Sequence, residues 1–63
     1  MMKRKKYELS DWYEGENIIG TYETIAEAEK AAQKFIADTD GECDIIISSW
    51  NDNLNMYMPV KSL

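Results

Sequence analysis

Few residues in this chain could do covalent chemistry, and those few lack partners. Cys43 is the sole thiol, flanked by Glu42 and Asp44. Two neighbouring carboxylates oppose formation of the thiolate that a nucleophile requires. The chain contains no histidine, the usual general base near neutral pH. Ser48 and Ser49 stand without a partner base, and single glycines at the turns leave no loop to cradle a phosphate. The pairs Glu14/Glu16 and Asp40/Glu42 remain as ligands for a hard cation. Calcium takes about six or more oxygens, and neither segment carries the loop pattern that supplies them. These acids read as solvated surface and Cys43 as a structural residue at a strand start. The expectation is a protein that is not an enzyme and uses no cofactor and no metal.

Recognition is the chemistry left, and its carriers are aromatic. Where the aromatic residues point depends on the elements that hold them. Tyr7 and Leu9 alternate with Glu8 and Ser10, the period of a half-buried strand. Trp12 interrupts the phase and Tyr13 restores it, which suggests a bulge near Asp11. Glu14-Gly15-Glu16-Asn17 is turn chemistry, with Gly15 or Asn17 suited to positive φ, and residues 18–22 read as a second strand. Thr24 to Gly41 reads as a helix. Thr24 and Glu27 have capping-box spacing, and Gly41 suits the left-handed position past the end. Ile25, Ala28, Ala31, Ala32, Phe35 and Ile36 fall on one apolar arc, opposite Glu27, Lys30, Lys34 and Asp38.

Residues 43–50 give the strongest strand signal, β-branched and apolar at the centre. Asn51-Asp52-Asn53 is a hairpin turn. Beyond it Leu54, Met56, Met58 and Val60 alternate with polar residues and are expected to face the helix. Pro59 cannot donate to a ladder, so this strand belongs at an edge or ends there. The predicted fold class is α+β: one small domain, 1–63, in the order β-β-α-β-β. Antiparallel hairpins form one sheet with a single helix on one face, and residues 1–6 form a basic, flexible or edge-strand N-terminus. A chain of 63 residues buries only about 60% of its unfolded surface, so the stability margin is thin and self-association would help.

With Ile45 and Ile47 toward the helix, Ile46, Trp50 and Tyr57 fall on the opposite face, and Trp12 joins them if it keeps phase with Glu8 and Ser10. Four large apolar residues make an unusual patch for so small a chain, and Trp and Tyr are residues that anchor interfaces. Glu8, Asp44 and Asp52 fringe it with negative charge. Two other readings compete: Trp12 and Trp50 cap the ends of the core, or the sheet is a stacking platform for single-stranded nucleic acid.

Charge narrows the partners. Seven basic residues stand against twelve acidic ones, for a net charge of −5. Four of the seven are Lys3, Arg4, Lys5 and Lys6, so from Tyr7 onward the chain is strongly acidic. Such a body repels phosphate backbones and anionic membranes and favours basic partners. The Met-Met-Lys-Arg-Lys-Lys start resembles the opening of a signal peptide, but Tyr7-Glu-Leu-Ser-Asp breaks the apolar stretch that must follow. No window approaches the roughly 20 apolar residues of a membrane span. With one free cysteine, a cytoplasmic location is expected, with no small-molecule substrate inferred.

The stretch Gly15-Glu-Asn-Ile-Ile-Gly-Thr-Tyr-Glu-Thr-Ile-Ala-Glu-Ala-Glu-Lys-Ala resembles a hairpin-to-helix pattern common among small acidic proteins of phages and mobile elements. The resemblance implies an accessory or anti-defence role and assigns no functional residue. Together these features predict a non-enzymatic module that binds a protein with a basic surface, or itself as a homodimer, through Trp12, Ile46, Trp50 and Tyr57. In its sharper form it is an inhibitor whose carboxylates imitate nucleic-acid phosphates. The alternatives are a nucleic-acid accessory protein tethered through Lys3–Lys6 and a structural homodimer with no ligand.

Overall fold

The alternation and turn chemistry produce four strands and a helix in a computed structural model that describes residues 4–63; Lys3 of the basic run lies outside the described residues. The elements are β1 (Tyr7–Asp11), β2 (Asn17–Tyr22), α1 (Ile25–Asp38), β3 (Ile45–Asn51) and β4 (Met56–Ser62). The strands form one antiparallel sheet in the order β2-β1-β3-β4. Each hairpin contributes one interior and one edge strand, and α1 carries the chain between them. The basic residues 4–6 therefore lead into an interior strand and not an edge.

The helix is punctuated from within. Thr24 Oγ1 accepts the Glu27 N–H at 3.2 Å. Its hydroxyl donates to Glu27 Oε1 at 3.0 Å, so the return contact meets the hydroxyl rather than the Thr24 amide. At the far end Asp40 and Gly41 take φ of 54° and 80°, and the Gly41 N–H donates to the Ile36 carbonyl at 2.9 Å. Successive left-handed residues reverse the chain toward β3 and use a carbonyl that the last helical turn leaves unpaired.

One face of the sheet meets α1. Leu9, Ile45, Ile47, Ala28 and Ala32 are fully buried there, ringed by Tyr7, Ile19, Tyr22, Ala31, Phe35, Ile36 and Cys43. Two alanines at the contact let the helix lie close to the strands, and Leu9, Ile45 and Ile47 supply the bulk. Ile25, the first residue of the apolar arc, stands at the margin, 38% exposed.

Two bulges depart from the sequence expectations. The first lies in β2 rather than near Asp11. Leu9 pairs with Gly20 and Ser10 with Ile18, so Ile19 is the extra residue and turns into the core. β1 keeps its phase, and the Trp12 N–H extends the ladder to the Asp44 carbonyl at 2.8 Å. The second lies in β4, where Ile47 pairs with Lys61 and Ser48 with Pro59, leaving Val60 extra. The expected helix-facing row of Leu54, Met56, Met58 and Val60 therefore does not form. Val60 is 53% exposed. Leu54, 57% exposed, falls inside a longer turn where Asn51 Oδ1 accepts the N–H groups of Asn53 and Leu54. Met56 and Met58 keep the helix side at the sheet margin. Lys61 takes the place beside Ile47 and pairs with Glu29 of α1. Pro59 lies on an edge strand, where it interrupts no interior ladder.

Candidate interaction face of the sheet

The sheet face away from α1 is built in rows by the strand registers. At one end Trp50 pairs with Tyr57. Their rings meet edge to face, with centroids 5.1 Å apart and planes inclined by 73°. The Arg4 guanidinium stacks 4.4 Å from the centre of the Trp50 ring. In the next row Glu8 sits between Thr21 and Ser48, with Pro59 beyond. Then Ser10 lies between Ile18 and Ile46. Trp12 closes the far end, and the alternation of β3 places Asp44 beside it.

Trp12, Ile46, Trp50 and Tyr57 thus share the face left bare by the helix. Neither tryptophan packs against the buried cluster, so neither caps the core. The bulge at Ile19 adds Ile18, 47% exposed, which sequence reasoning placed in a strand without assigning it a face. A one-residue insertion in β2 is what moved it there.

The polar atoms of the aromatic residues are already satisfied. Trp12 Nε1–H donates to Ser10 Oγ at 2.9 Å, folding the indole back over that serine. Ser10 is only 1% exposed although it points away from the helix. Trp50 Nε1–H donates to Asp52 Oδ1 at 2.9 Å, and the Tyr57 hydroxyl donates to the Lys5 carbonyl at 2.8 Å. What the face offers outward is ring surface with its hydrogen bonds already made. An approaching apolar surface would leave no indole N–H or phenol orphaned.

Charge is mixed at the Trp50 end, where Glu23 and Asp52 stand among the basic residues, and acidic at the Trp12 end. The Trp50 N–H donates to the Lys6 carbonyl at 2.8 Å, which draws the basic segment alongside the aromatic pair. Arg4, Lys6, Trp50, Asp52 and Asn55 line an open hollow there. At the Trp12 end stand Asp11, Glu14, Glu16, Glu42 and Asp44, with no basic residue among them. The expected acidic fringe of Glu8, Asp44 and Asp52 is therefore incomplete: one end of the face carries cations. The strand direction held this signal, since the basic run immediately precedes β1. Between the two ends, burial raises the Glu8 pKa above the usual carboxylate value, and the charge of Glu16 adds to the effect. The Tyr57 hydroxyl is also raised, by burial first and then by Glu8, with Arg4 acting in the opposite sense. Glu16, Glu8, Tyr57 and Arg4 are thus linked electrostatically across the bare face.

Cys43 is half-buried at the edge of the core, and Ser48 is buried within the sheet. Among the described residues no three histidine, cysteine, aspartate or glutamate side chains gather closely enough to hold a metal. Among the described residues no helix is long and apolar enough to cross a membrane. Comparison with protein-family models, curated proteins and solved structures gives no match.

Proposed function

We propose that this protein is a non-enzymatic binding module whose working surface is the bare sheet face, and that the surface is recognised by another protein surface. The observation that carries this reading is the set Trp12, Ile18, Ile46, Trp50 and Tyr57 on one face, with both indole N–H groups and the Tyr57 hydroxyl bonded internally. Rigid aromatic residues with satisfied polar atoms anchor an interface at low entropic cost. The carboxylates at the Trp12 end suit a partner that brings basic groups to that end. An inhibitor that occupies a basic groove in place of nucleic acid, encoded by a phage or mobile element and acting in the cytoplasm, is the sharpest form of this reading.

The test is differential capture. Wild-type protein and an Ile46→Asp/Trp12→Ala variant, matched by circular dichroism, are immobilised and exposed to the same lysate. At least one protein retained by the wild type should be lost from the variant. Identical retention profiles would sink the reading.

A second reading draws on the stack of Arg4 on Trp50 beside Lys6. Aromatic rings next to cations are what single-stranded nucleic acid uses. In that case oligonucleotide binding weakens steeply with salt and vanishes in Arg4→Ala/Trp50→Ala. Glu8 at the centre of the face works against it.

A further inference from the structure

The middle of the bare face holds a carboxylate among aromatic rings. Glu8 stands in β1 between Thr21 and Ser48. On one side the Trp12 indole folds back over Ser10, and on the other stand the paired rings of Trp50 and Tyr57. At about 3.3 Å per residue, Glu8 lies about 6.6 Å along the strands from either row. It is half-buried, yet the ion pairs among the described residues are Lys34–Asp38 and Lys61–Glu29, and neither includes it. Arg4 shares this face, but its guanidinium rests on the Trp50 ring. Lys6 reaches over Tyr7, 5.7 Å from the ring centre.

Resting on the reading that the bare face is a binding surface, we infer that the partner protein seats an arginine side chain on Glu8, between Trp12 and the Trp50–Tyr57 pair. The mixed charge of the Trp50 end does not reach this point. The neighbour that acts on Glu8 is Glu16, which adds negative charge, whereas Arg4 acts on Tyr57. A cation is therefore what the centre of the face lacks.

The rings select arginine over lysine. A guanidinium is planar and weakly hydrated, stacks on aromatic faces and gives two parallel N–H groups to one carboxylate. An ammonium is a strongly hydrated point charge that does neither. Arg4 on Trp50 shows a ring of this face already taking a guanidinium. Arg4 is also the chain's single arginine, and its place on its own Trp50 means that the arginine for Glu8 comes from another protein. A partner arginine gives the unpaired carboxylate a purpose. Burial of Glu8 burdens the free protein, and a cation laid on it relieves that burden only in the complex.

NMR titration of the 15N-labelled full chain tests this with a blocked alanine pentapeptide carrying one central arginine. The same peptide with citrulline keeps the shape and removes the charge. The arginine peptide should shift the Glu8 amide and both indole N–H signals together, with a dissociation constant on the order of 1–10 mM, as one cation–π contact and one partly exposed ion pair allow. The citrulline peptide should bind at least about fivefold more weakly, and so should the arginine peptide to Glu8→Gln. Asp38→Asn removes the same charge from the helix, away from this face, and should bind like the wild type; circular dichroism checks that both variants fold. No indole shift at about 20 mM arginine peptide, above the expected dissociation constant, overturns the inference. Equal binding of the two peptides, or equal effects of Glu8→Gln and Asp38→Asn, overturns it as well. In those cases loss of a captured protein from Ile46→Asp/Trp12→Ala would still uphold the bare face as a binding surface without Glu8 as its anchor. Unchanged capture by that variant removes the bare-face reading itself.

Discussion

Leu9→Ala should remove most of the stability of this domain. Leu9 is fully buried in β1, paired with Gly20 on one side and Ile47 on the other, in the cluster that holds Ala28 and Ala32. Three of those four neighbours have little or no side chain with which to fill a void. Deleting three carbons forfeits about 2.4 kcal/mol of transfer free energy at about 0.8 kcal/mol each. The unfilled cavity brings the total loss to about 3–4 kcal/mol. Domains of this length have roughly 3–9 kcal/mol in all, at about 0.05–0.15 kcal/mol per residue. Urea unfolding followed by circular dichroism measures the difference, with Leu54→Ala as the companion. Leu54 is a leucine too, but it sits in the Asn51–Asn55 turn and is 57% exposed, so its truncation should change stability by less than about 0.5 kcal/mol. A Leu9→Ala loss below about 1 kcal/mol, or equal losses from the two variants, would refute this account of the core.

Other perturbations address the remaining elements. Ala32→Leu drives a larger side chain between α1 and the sheet and should cost about 1–3 kcal/mol in urea unfolding; a neutral result would mean that the helix does not lie close to the strands. Thr24→Ala leaves the Glu27 N–H without its acceptor and should cost about 1 kcal/mol of stability, most of it recovered in Thr24→Ser. Glu8 gives a pH signature. Because folding lifts its pKa above the ordinary value of 4.5, the native state holds the proton more readily than the unfolded chain. Stability therefore falls as pH rises from that value through the folded-state pKa. Glu8→Gln should raise the melting temperature at pH 7 and flatten this slope; a lower melting temperature at pH 7 would contradict it.

Much of this architecture is written locally. The helix limits follow from Thr24, Glu27 and Gly41, whose effects act within a turn or two of the chain. The split of β3 into a buried Ile45/Ile47 side and an outward Ile46/Trp50 side follows from a period of two, uninterrupted on that strand. What could not be read were the insertions. A bulge is fixed by how two strands match, and Ile18 and Ile19, or Met58 and Val60, look alike to a rule that reads one strand at a time. The same cause assigned Val60 to the core and left Ile18 without a face, whereas Leu54 was misplaced because the turn runs on to Asn55 and β4 begins only at Met56. For the candidate site, Trp12, Ile46, Trp50 and Tyr57 were legible as one group because their strands keep phase on that side. Arg4 was not, because its place over Trp50 depends on Lys5 and Lys6 pairing with residues more than forty positions away.

The strand order also governs how the chain reaches this fold. β1 with β2, and β3 with β4, are hairpins whose partners are close in sequence, and such pairings close within about 1–10 µs. The seam between β1 and β3, where Leu9 meets Ile47, is the one strand pairing that spans the whole helix. Its loop-closure entropy must be met before any of its contacts form. Folding therefore waits on that seam, which the Leu9→Ala variant makes visible: its loss of stability should appear mainly as slower folding, whereas changes in the Asn51–Asn55 turn should register elsewhere.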